Sequence, residues 1–386
     1  MKVLLLGASY QSSVYKSAYE YLISKGYKTI GINGHHINND EFEFNQDPLP
    51  IIDIAKQMEV EGVLCLSTER SLKRDAMIKE DLEKKGIKVI ANSLPVIEIL
   101  NHKGKTREHC QQNEIPIIPG KNYVNSSELS TIGNRIGYPL VIKKPNLTGG
   151  GGVSFIGNAI DLENYRETFN NETDLVVEKF ITGYEFSIEV IGIDGEYKCL
   201  EPVYKGGTDI KTHPLDKVRM VPYWESTVNN KMKEVSKRVA KSLNISGIIE
   251  VEMIWDYKTE NLYLIEVNPR MGGVTNLGIN YSKRNTALIL TEMLTGTWNK
   301  NGTINRNRCG IELHICSDIT KKMINEIKNL KTFGEIVIRN RSKSNGSVIL
   351  VGEPEIILSD VEKNSSYFNN YEEAKQLLNK FDRVRK

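Results

Sequence analysis

Through residues 1–92, short apolar runs alternate with longer segments in which apolar residues recur at helical spacing. Lys2–Leu6, Lys28–Ile32, Gly62–Leu66 and Ile87–Ala91 read as strands. The stretch ending near Ser24, Ile51–Gln57 and Leu72–Lys85 read as helices, and Gly26 and Gly86 stand where helices should end. Strands alternating with helices predict a parallel sheet covered on both faces, a Rossmann-like first domain. The loop after the first strand runs Gly7-Ala8-Ser9-Tyr10-Gln11-Ser12-Ser13. It lacks the second and third glycines that let a backbone approach a pyrophosphate. This domain is therefore expected to be a scaffold whose first loop borders a substrate pocket. His35 and His36 stand in a Gly/Asn loop without a companion ligand set and read as exposed loop polarity.

From 93 to 302 helices mix with strand pairs. Ser93, Leu94 and Pro95 start a short helix, Asn101–Arg107 lies on a second, and Ser126–Ile136 is a third ending at Gly137. Tyr138–Lys144 is an apolar strand ending in two lysines, followed by Gly149, Gly150, Gly151 and Gly152, then a strand at Val153–Ile156. Such glycines free backbone N–H groups to close around phosphate, and the lysine adds a point charge. The loop joins two strands, so it is not the strand-to-helix phosphate loop of GxxxxGK[ST]. Taken alone it reads more readily as a bare hairpin tip. Leu175–Ile181 and the run from Tyr184 through Val190 are further strands, and Asn229–Leu243 and Asn285–Leu294 are helices. From 303 to 386, strands at Gly310–Ile315, Gly334–Arg339 and Ser347–Val351 and helices at Ile319–Leu330 and Tyr371–Asp382 predict a small α+β segment.

The most informative pattern is Ile248–Gly273, two β-branched and aromatic runs around a polar break at Asp256–Asn261. This is a hairpin signature. A turn near Lys258 and Thr259 places Glu252 opposite Glu266 and Glu250 opposite Asn268. Side chains alternate faces along a strand, so these four polar residues share one face, and Val251, Met253, Ile265 and Val267 point into a core. Two directly opposed carboxylates repel. A divalent cation between them removes the conflict, and oxygen ligands without His or Cys suit Mg²⁺ and its phosphate partners.

Composition narrows the class. With 51 basic and 49 acidic residues the net charge is +2, which supports neither a nucleic-acid nor a membrane-surface partner. Five scattered cysteines without a CxxC suit a reducing cytoplasm. The apolar run at Val3–Leu6 is too short for a leader core, and no later run is long enough for a membrane span. The 386 residues leave room for roughly two or three domains.

In order, HKGKTR at 102–107, YPLVIKKPNLTGGGGV at 138–153, VVEKFITGYEFSIEV at 176–190, VEM at 251–253 and LIEVNPRMGG at 264–273 resemble the ATP-grasp superfamily. The branch they resemble holds biotin carboxylase, carbamoyl phosphate synthase and the carboxylate–amine ligases. The resemblance implies an α/β and α+β multidomain chain, with an N-terminal Rossmann-like parallel sheet followed by an ATP-grasp fold. It places the ATP-grasp region at 93–302, a mobile lid at 115–182, and a small C-terminal segment at 303–386.

It further implies that ATP is held by Lys103 and Lys143, the glycines 149–152, the adenine strand at Glu178, Lys179 and Ile181, and the ribose carboxylate Glu185. Lys144 is the runner-up to Lys143, and His102 stands where the family often has Asp. Glu252, Glu266 and Asn268 are implied as ligands of Mg²⁺, or of Mn²⁺ in its place, with Glu250 behind them. Arg270 faces the γ-phosphate and the reacting carboxylate, and with Lys143 is the implied catalytic pair. Lys105 and Arg107 read as solvated helix charges. In the polar stretch 204–228, Lys205, His213, Lys217 and Arg219 are candidate substrate contacts, Arg219 first because guanidinium grips carboxylate in two places.

The implied reaction converts a carboxylate into an acyl phosphate, releasing ADP, for attack by an amine of an amino acid or small metabolite. An acyl carrier protein thiol as acceptor, and bicarbonate as the activated acid, are the alternatives. An ATP-binding protein without catalysis is a third reading, opposed by the intact Glu252, Glu266, Asn268 and Arg270 set. A homodimer is among the implied assemblies.

Overall fold

A computed structural model describes residues 1–7, 13–33, 47–147, 151–208, 217–299, 308–316, 319–341 and 344–385. His35, His36, Gly149, Gly150 and His213 lie outside the described residues. Strands β1 (Lys2–Gly7), β2 (Lys28–Asn33), β3 (Gly62–Leu66) and β4 (Lys88–Ile90) form a parallel sheet in the order β2-β1-β3-β4. These strands read as unbroken apolar runs because helices cover both faces. Leu4, Leu6, Val63 and Val89 pack against Ile51, Ile52, Ile78 and Leu82 from the neighbouring helices. Val3, Leu5, Leu64 and Ile90 point the other way, onto Ile289, Leu290 and Met293 of the distant helix Thr286–Thr295. That helix ties the first sheet to the rest of the chain.

Strands β5 (Gly120–Val124), β6 (Leu140–Lys143), β7 (Val153–Ile156) and β8 (Leu175–Lys179) form an antiparallel sheet in the order β5-β8-β6-β7. Helices Leu129–Ile136 and Ala159–Thr168 cover one face through Leu129, Ile132, Leu162 and Tyr165. The second helix is capped by Asn158, whose Oδ1 accepts from Ile160 N at 2.8 Å and Asp161 N at 3.1 Å. Val141 pairs with Glu178, so Lys143, two residues on, shares the opposite face with Glu178.

The largest sheet contains β9 (Tyr184–Ile193), β10 (Glu196–Cys199), β11 (Val203–Gly207), β12 (Arg219–Val221), β13 (Gly247–Asp256), β14 (Asn261–Asn268), β15 (Cys309–Ile315), β16 (Phe333–Arg341) and β17 (Ser344–Gly352). Its order is β14-β13-β9-β11-β12-β15-β17-β16, with β10 paired to β9. The last segment therefore does not build a sheet of its own: β15 pairs with β12 and continues the sheet that carries the hairpin. One face is apolar, with Phe186, Ile188, Val251, Met253 and Trp255 against Val228, Met232 and Val239 of the helix Ser226–Ser242. Among the described residues no helix is long and apolar enough to cross a membrane.

Candidate active site

The hairpin register matches the alternation. Glu252 pairs with Glu266 and Glu250 with Asn268. One detail differs. The register shifts between Glu252 and Met253, and Met253 pairs with Leu264 instead of Ile265. This extra residue is a β-bulge. It turns Ile265 out of the expected core and onto the site face, where it packs with Ile118, Ile181 and Ile254.

The four polar residues have different surroundings. Glu250 is buried, accepting from Ser187 Oγ at 2.6 Å and from Arg270 Nη1 at 3.1 Å. A Cβ at Gly272 would collide with its carboxylate, so glycine there makes room for Glu250. Glu252 accepts from Lys205 Nζ at 2.7 Å. Burial pushes the Glu252 carboxyl up, but the Lys205 ammonium and the more distant Arg270 outweigh this and hold it below its ordinary value. Glu266 is half-buried and accepts no hydrogen bond from any described residue. Burial and the Glu252 charge raise its pKa, opposed by Lys103, Lys143 and Arg270.

Glu266 and Asn268 line a cleft together with Lys103, Arg107, Lys143 and Glu178. Lys103 opens the helix Lys103–Gln112, and its ammonium donates to Leu147 O at the edge of the smaller antiparallel sheet. His102 caps that helix, its Nδ1 accepting from Lys105 N at 3.3 Å. Burial holds the His102 imidazole below its usual pKa, which keeps that acceptor available. Lys143 lies 2.6 Å from Glu178. Lys144 points away, over the Phe169 ring at 4.4 Å and paired with Glu172. The two lysines are thereby separated by strand alternation.

Other candidates lie at the margins. Glu185 faces Lys217 Nζ at 3.3 Å, Ile181 is buried, and Lys179 is exposed with its backbone N–H on Pro119 O at 2.9 Å. Gly152 O accepts from Lys144 N at 2.8 Å, beside the exposed Gly151. Arg270 Nε donates to Glu69 Oε2 at 2.6 Å, from the loop after β3. Arg219 is buried, its Nη1 donating to Gly273 O at 2.6 Å and lying 3.2 Å from Glu312 Oε2.

Arg107 corrects the sequence expectation. It is not solvated: it is 4% exposed, bonded to Glu178, to Asn122 Oδ1 at 2.7 Å and to Ile118 O at 2.9 Å. On a short helix segment without an apolar stripe, nothing local distinguished it from Lys105, which is exposed. Glu69 was missed because it belongs to a loop of the first domain. Among the described residues no three Asp, Glu, His or Cys side chains converge as a metal cage. The oxygen donors available are the Glu252 and Glu266 carboxylates and the Asn268 amide, a hard set that leaves ligand positions open.

Residues 108–282 match the family model of the ATP-grasp domain. The chain is 32% identical over 247 residues to a carbamoyl-phosphate synthase of Methanobrevibacter smithii, covering 63% of this chain and 66% of that one. Residues 108–282 are an ATP-grasp domain, similar in sequence to carbamoyl phosphate synthases. It is also 25% identical over 224 residues to the carbamoyl phosphate synthase large chain of Clostridium acetobutylicum, covering 57% of this chain but only 21% of that one. The match therefore spans under two thirds of the first relative and about a fifth of the second. In fold it is similar to the biotin carboxylase domain of Hydrogenobacter thermophilus 2-oxoglutarate carboxylase, with TM-score 0.71 and 18% identity over 100% of this chain and 95% of that one. It is equally similar to N5-carboxyaminoimidazole synthetase of Staphylococcus aureus, with TM-score 0.73 and 14% identity over 95% and 96%.

Within the ATP-grasp domain, Glu189 on β9 is a further carboxylate with no role foreseen. It pairs with Glu250 across the strands and accepts from Gly272 N at 3.1 Å, from Thr275 Oγ1, and from Thr286 Oγ1 at 3.4 Å. These bonds fix the loop that follows Arg270. A lone carboxylate in the apolar run Phe186–Ile193 was its only signal. Burial pushes the Glu189 carboxyl up to about 7, against the Thr275 and Gly272 hydrogen bonds. The folded state therefore keeps a proton that the unfolded chain loses at lower pH. Its stabilisation is complete at low pH and lost as pH rises through about 7. Glu189→Gln is expected to flatten this fall in Tm between about pH 5 and pH 8. A profile parallel to wild type across that window would overturn the assignment.

Proposed function

We propose that this chain is an ADP-forming ligase that activates a carboxylate with Mg–ATP and passes the acyl group to an amine of an amino acid or small metabolite. The supporting observation is the cleft in which Lys103 and Lys143 face the Glu266 carboxylate, which has no hydrogen-bond donor among the described residues, beside Asn268. Cations on one wall and hard oxygen donors on the other suit a metal-bound polyphosphate. The apolar cluster of Ile181, Ile254 and the bulged Ile265 would offer a flat base an apolar wall, and Glu185 would meet ribose hydroxyls. Glu252, Glu266 and Asn268 would hold Mg²⁺, which when bound neutralises charge on the γ-phosphoryl oxygens.

Lys103 and Lys143 would orient the phosphates, and Arg270, steadied by Glu69 and Glu250, would meet the oxyanion. The bond from the γ-phosphorus to its bridging oxygen breaks, a bond to the substrate carboxylate oxygen forms, and ADP leaves. The amine nitrogen then attacks the carbonyl carbon, phosphate departs, and the nitrogen's proton passes to solvent.

Bicarbonate as the activated acid is a second reading. It is favoured by relatives named as carbamoyl phosphate synthases and carboxylases. The two are separated by incubating the protein with ATP, Mg²⁺ and pools of amino acids, then measuring ADP and phosphate. Release that requires both a carboxylate and an amine is expected. Release with bicarbonate alone would replace the ligase reading by the second, and no release with any pool would remove both.

A further inference from the structure

Two buried cations stand side by side on the floor of the site. The Tyr204–Met220 pairing, continued by one antiparallel step, brings Lys205 on β11 beside Arg219 on β12, and the Arg219 charge acts on Lys205. Lys205 is 7% exposed and Arg219 2%. Like charges opposed on neighbouring strands repel. Each is therefore held by one carboxylate: Lys205 by Glu252 at 2.7 Å and Arg219 by Glu312 at 3.2 Å. Across β13, β11, β12 and β15, with β9 between the first two, the row runs negative, positive, positive, negative.

Two features leave this row open to an anion. Arg219 Nε is buried with no acceptor among the described residues. The exposed Gly273 lies against the guanidinium, where a Cβ would make ordinary contact 3.6 Å from Nη1, so Arg219 comes closest to solvent at a residue without a side chain.

Glu252 has two competing uses. It is the counter-charge of Lys205, and under the proposed function it is also a metal ligand. A metal ion drawing on the Glu252 carboxylate leaves Lys205 and Arg219 as adjacent buried cations, with Glu312 on Arg219 and only the unbonded charge of Glu250 acting on Lys205. A buried charge without a partner is strongly disfavoured.

We propose that Lys205 is a counter-ion relay: metal binding at Glu252 releases its ammonium, which joins Arg219 as the receptor for the carboxylate to be phosphorylated. The inference rests on the Mg–ATP reading above and adds an order to it. Metal and nucleotide bind first, and they create the affinity for the anionic substrate.

The test uses acetylphosphonate, a non-hydrolysable acyl phosphate mimic, as anion probe, with calorimetry for the probe and electron paramagnetic resonance for Mn²⁺. Wild-type protein is expected to bind the probe at least about tenfold more tightly with Mg–ADP than without it. By reciprocity the probe should tighten Mn²⁺ binding to the ADP complex by the same factor. Lys205→Met should tighten Mn²⁺ binding in the absence of probe, because the competing ammonium is gone, and reduce the coupling to below about twofold. Arg219→Gln should weaken the probe about tenfold and leave Mn²⁺ affinity within about twofold.

Equal probe affinity with and without Mg–ADP in wild type, or full coupling in Lys205→Met, would overturn the relay. If Lys205→Met does not fold, the wild-type comparison decides. Failure to bind Mg–ADP at all would sink the ligase reading itself; binding without coupling sinks only the relay.

Discussion

Glu266→Gln is expected to lower ADP formation by at least about a thousandfold while leaving Tm unchanged or slightly raised. The two effects have opposite signs for one reason. Glu266 is directly opposite Glu252 and has no hydrogen-bond donor among the described residues. In the protein alone its charge is a burden: burial and Glu252 raise its pKa, and only the more distant Lys103, Lys143 and Arg270 offset them. A neutral amide of the same shape removes that repulsion. Under the proposed function the same charge is what a divalent ion would bind, and an amide carbonyl is a weaker ligand. Differential scanning calorimetry, Mn²⁺ titration and ADP release measured on one preparation check the three consequences together. Activity within about tenfold of wild type would remove Glu266 from the metal set. A large drop in Tm would show that its charge is structural.

The hairpin was legible in the sequence because a period of two is a strong constraint. A one-residue slip would have sent Val251 and Val267 to solvent and Glu252 and Glu266 to the core. Alternation alone could not reveal the bulge after Glu252, since an added residue leaves the pattern on either side intact. That single residue decides where Ile265 points. Alternation also separates neighbours whose faces differ, as with Lys143 and Lys144, between which the family resemblance chose, but it cannot separate residues where tertiary partners decide. Arg107 and Lys105 both sit on the helix Lys103–Gln112. One is buried only because β5 and β8 bring Asn122 and Glu178 onto it. The parallel first sheet was legible from its unbroken apolar strands. The joining of β15 to β12 was not, because it pairs residues far apart in the chain, Arg219 with Glu312. That pairing also brings Glu312 onto Arg219, so the far end of the Lys205–Arg219 row depends on a contact no local pattern encodes.

Glu178→Gln is expected to be the most destabilising single change in the cleft, by roughly 3–5 kcal/mol, although it keeps the side chain's size. Glu178 is 1% exposed and is the counter-charge of both Arg107 and Lys143, themselves 4% and 8% exposed. Neutralising it leaves two buried cations facing each other. The reverse change is milder. In Arg107→Met the Glu178 carboxylate retains Lys143 at 2.6 Å, and the main loss is the donors to Asn122 Oδ1 and Ile118 O, roughly 1–3 kcal/mol. The double variant Arg107→Met/Glu178→Gln removes one cation together with the carboxylate, so it should be more stable than Glu178→Gln alone. Urea unfolding of the four proteins closes this cycle. Additive effects in the double variant would mean that the Arg107–Glu178 contact carries no coupling energy. Polyphosphate separates the roles of the two cations. Under the proposed function Lys143 gains a phosphate partner when nucleotide binds, whereas Arg107 stays on Asn122 and Ile118. Saturating Mg–ADP should therefore raise the Tm of Glu178→Gln by more than that of wild type. An equal rise in both would place Lys143 outside the phosphate site.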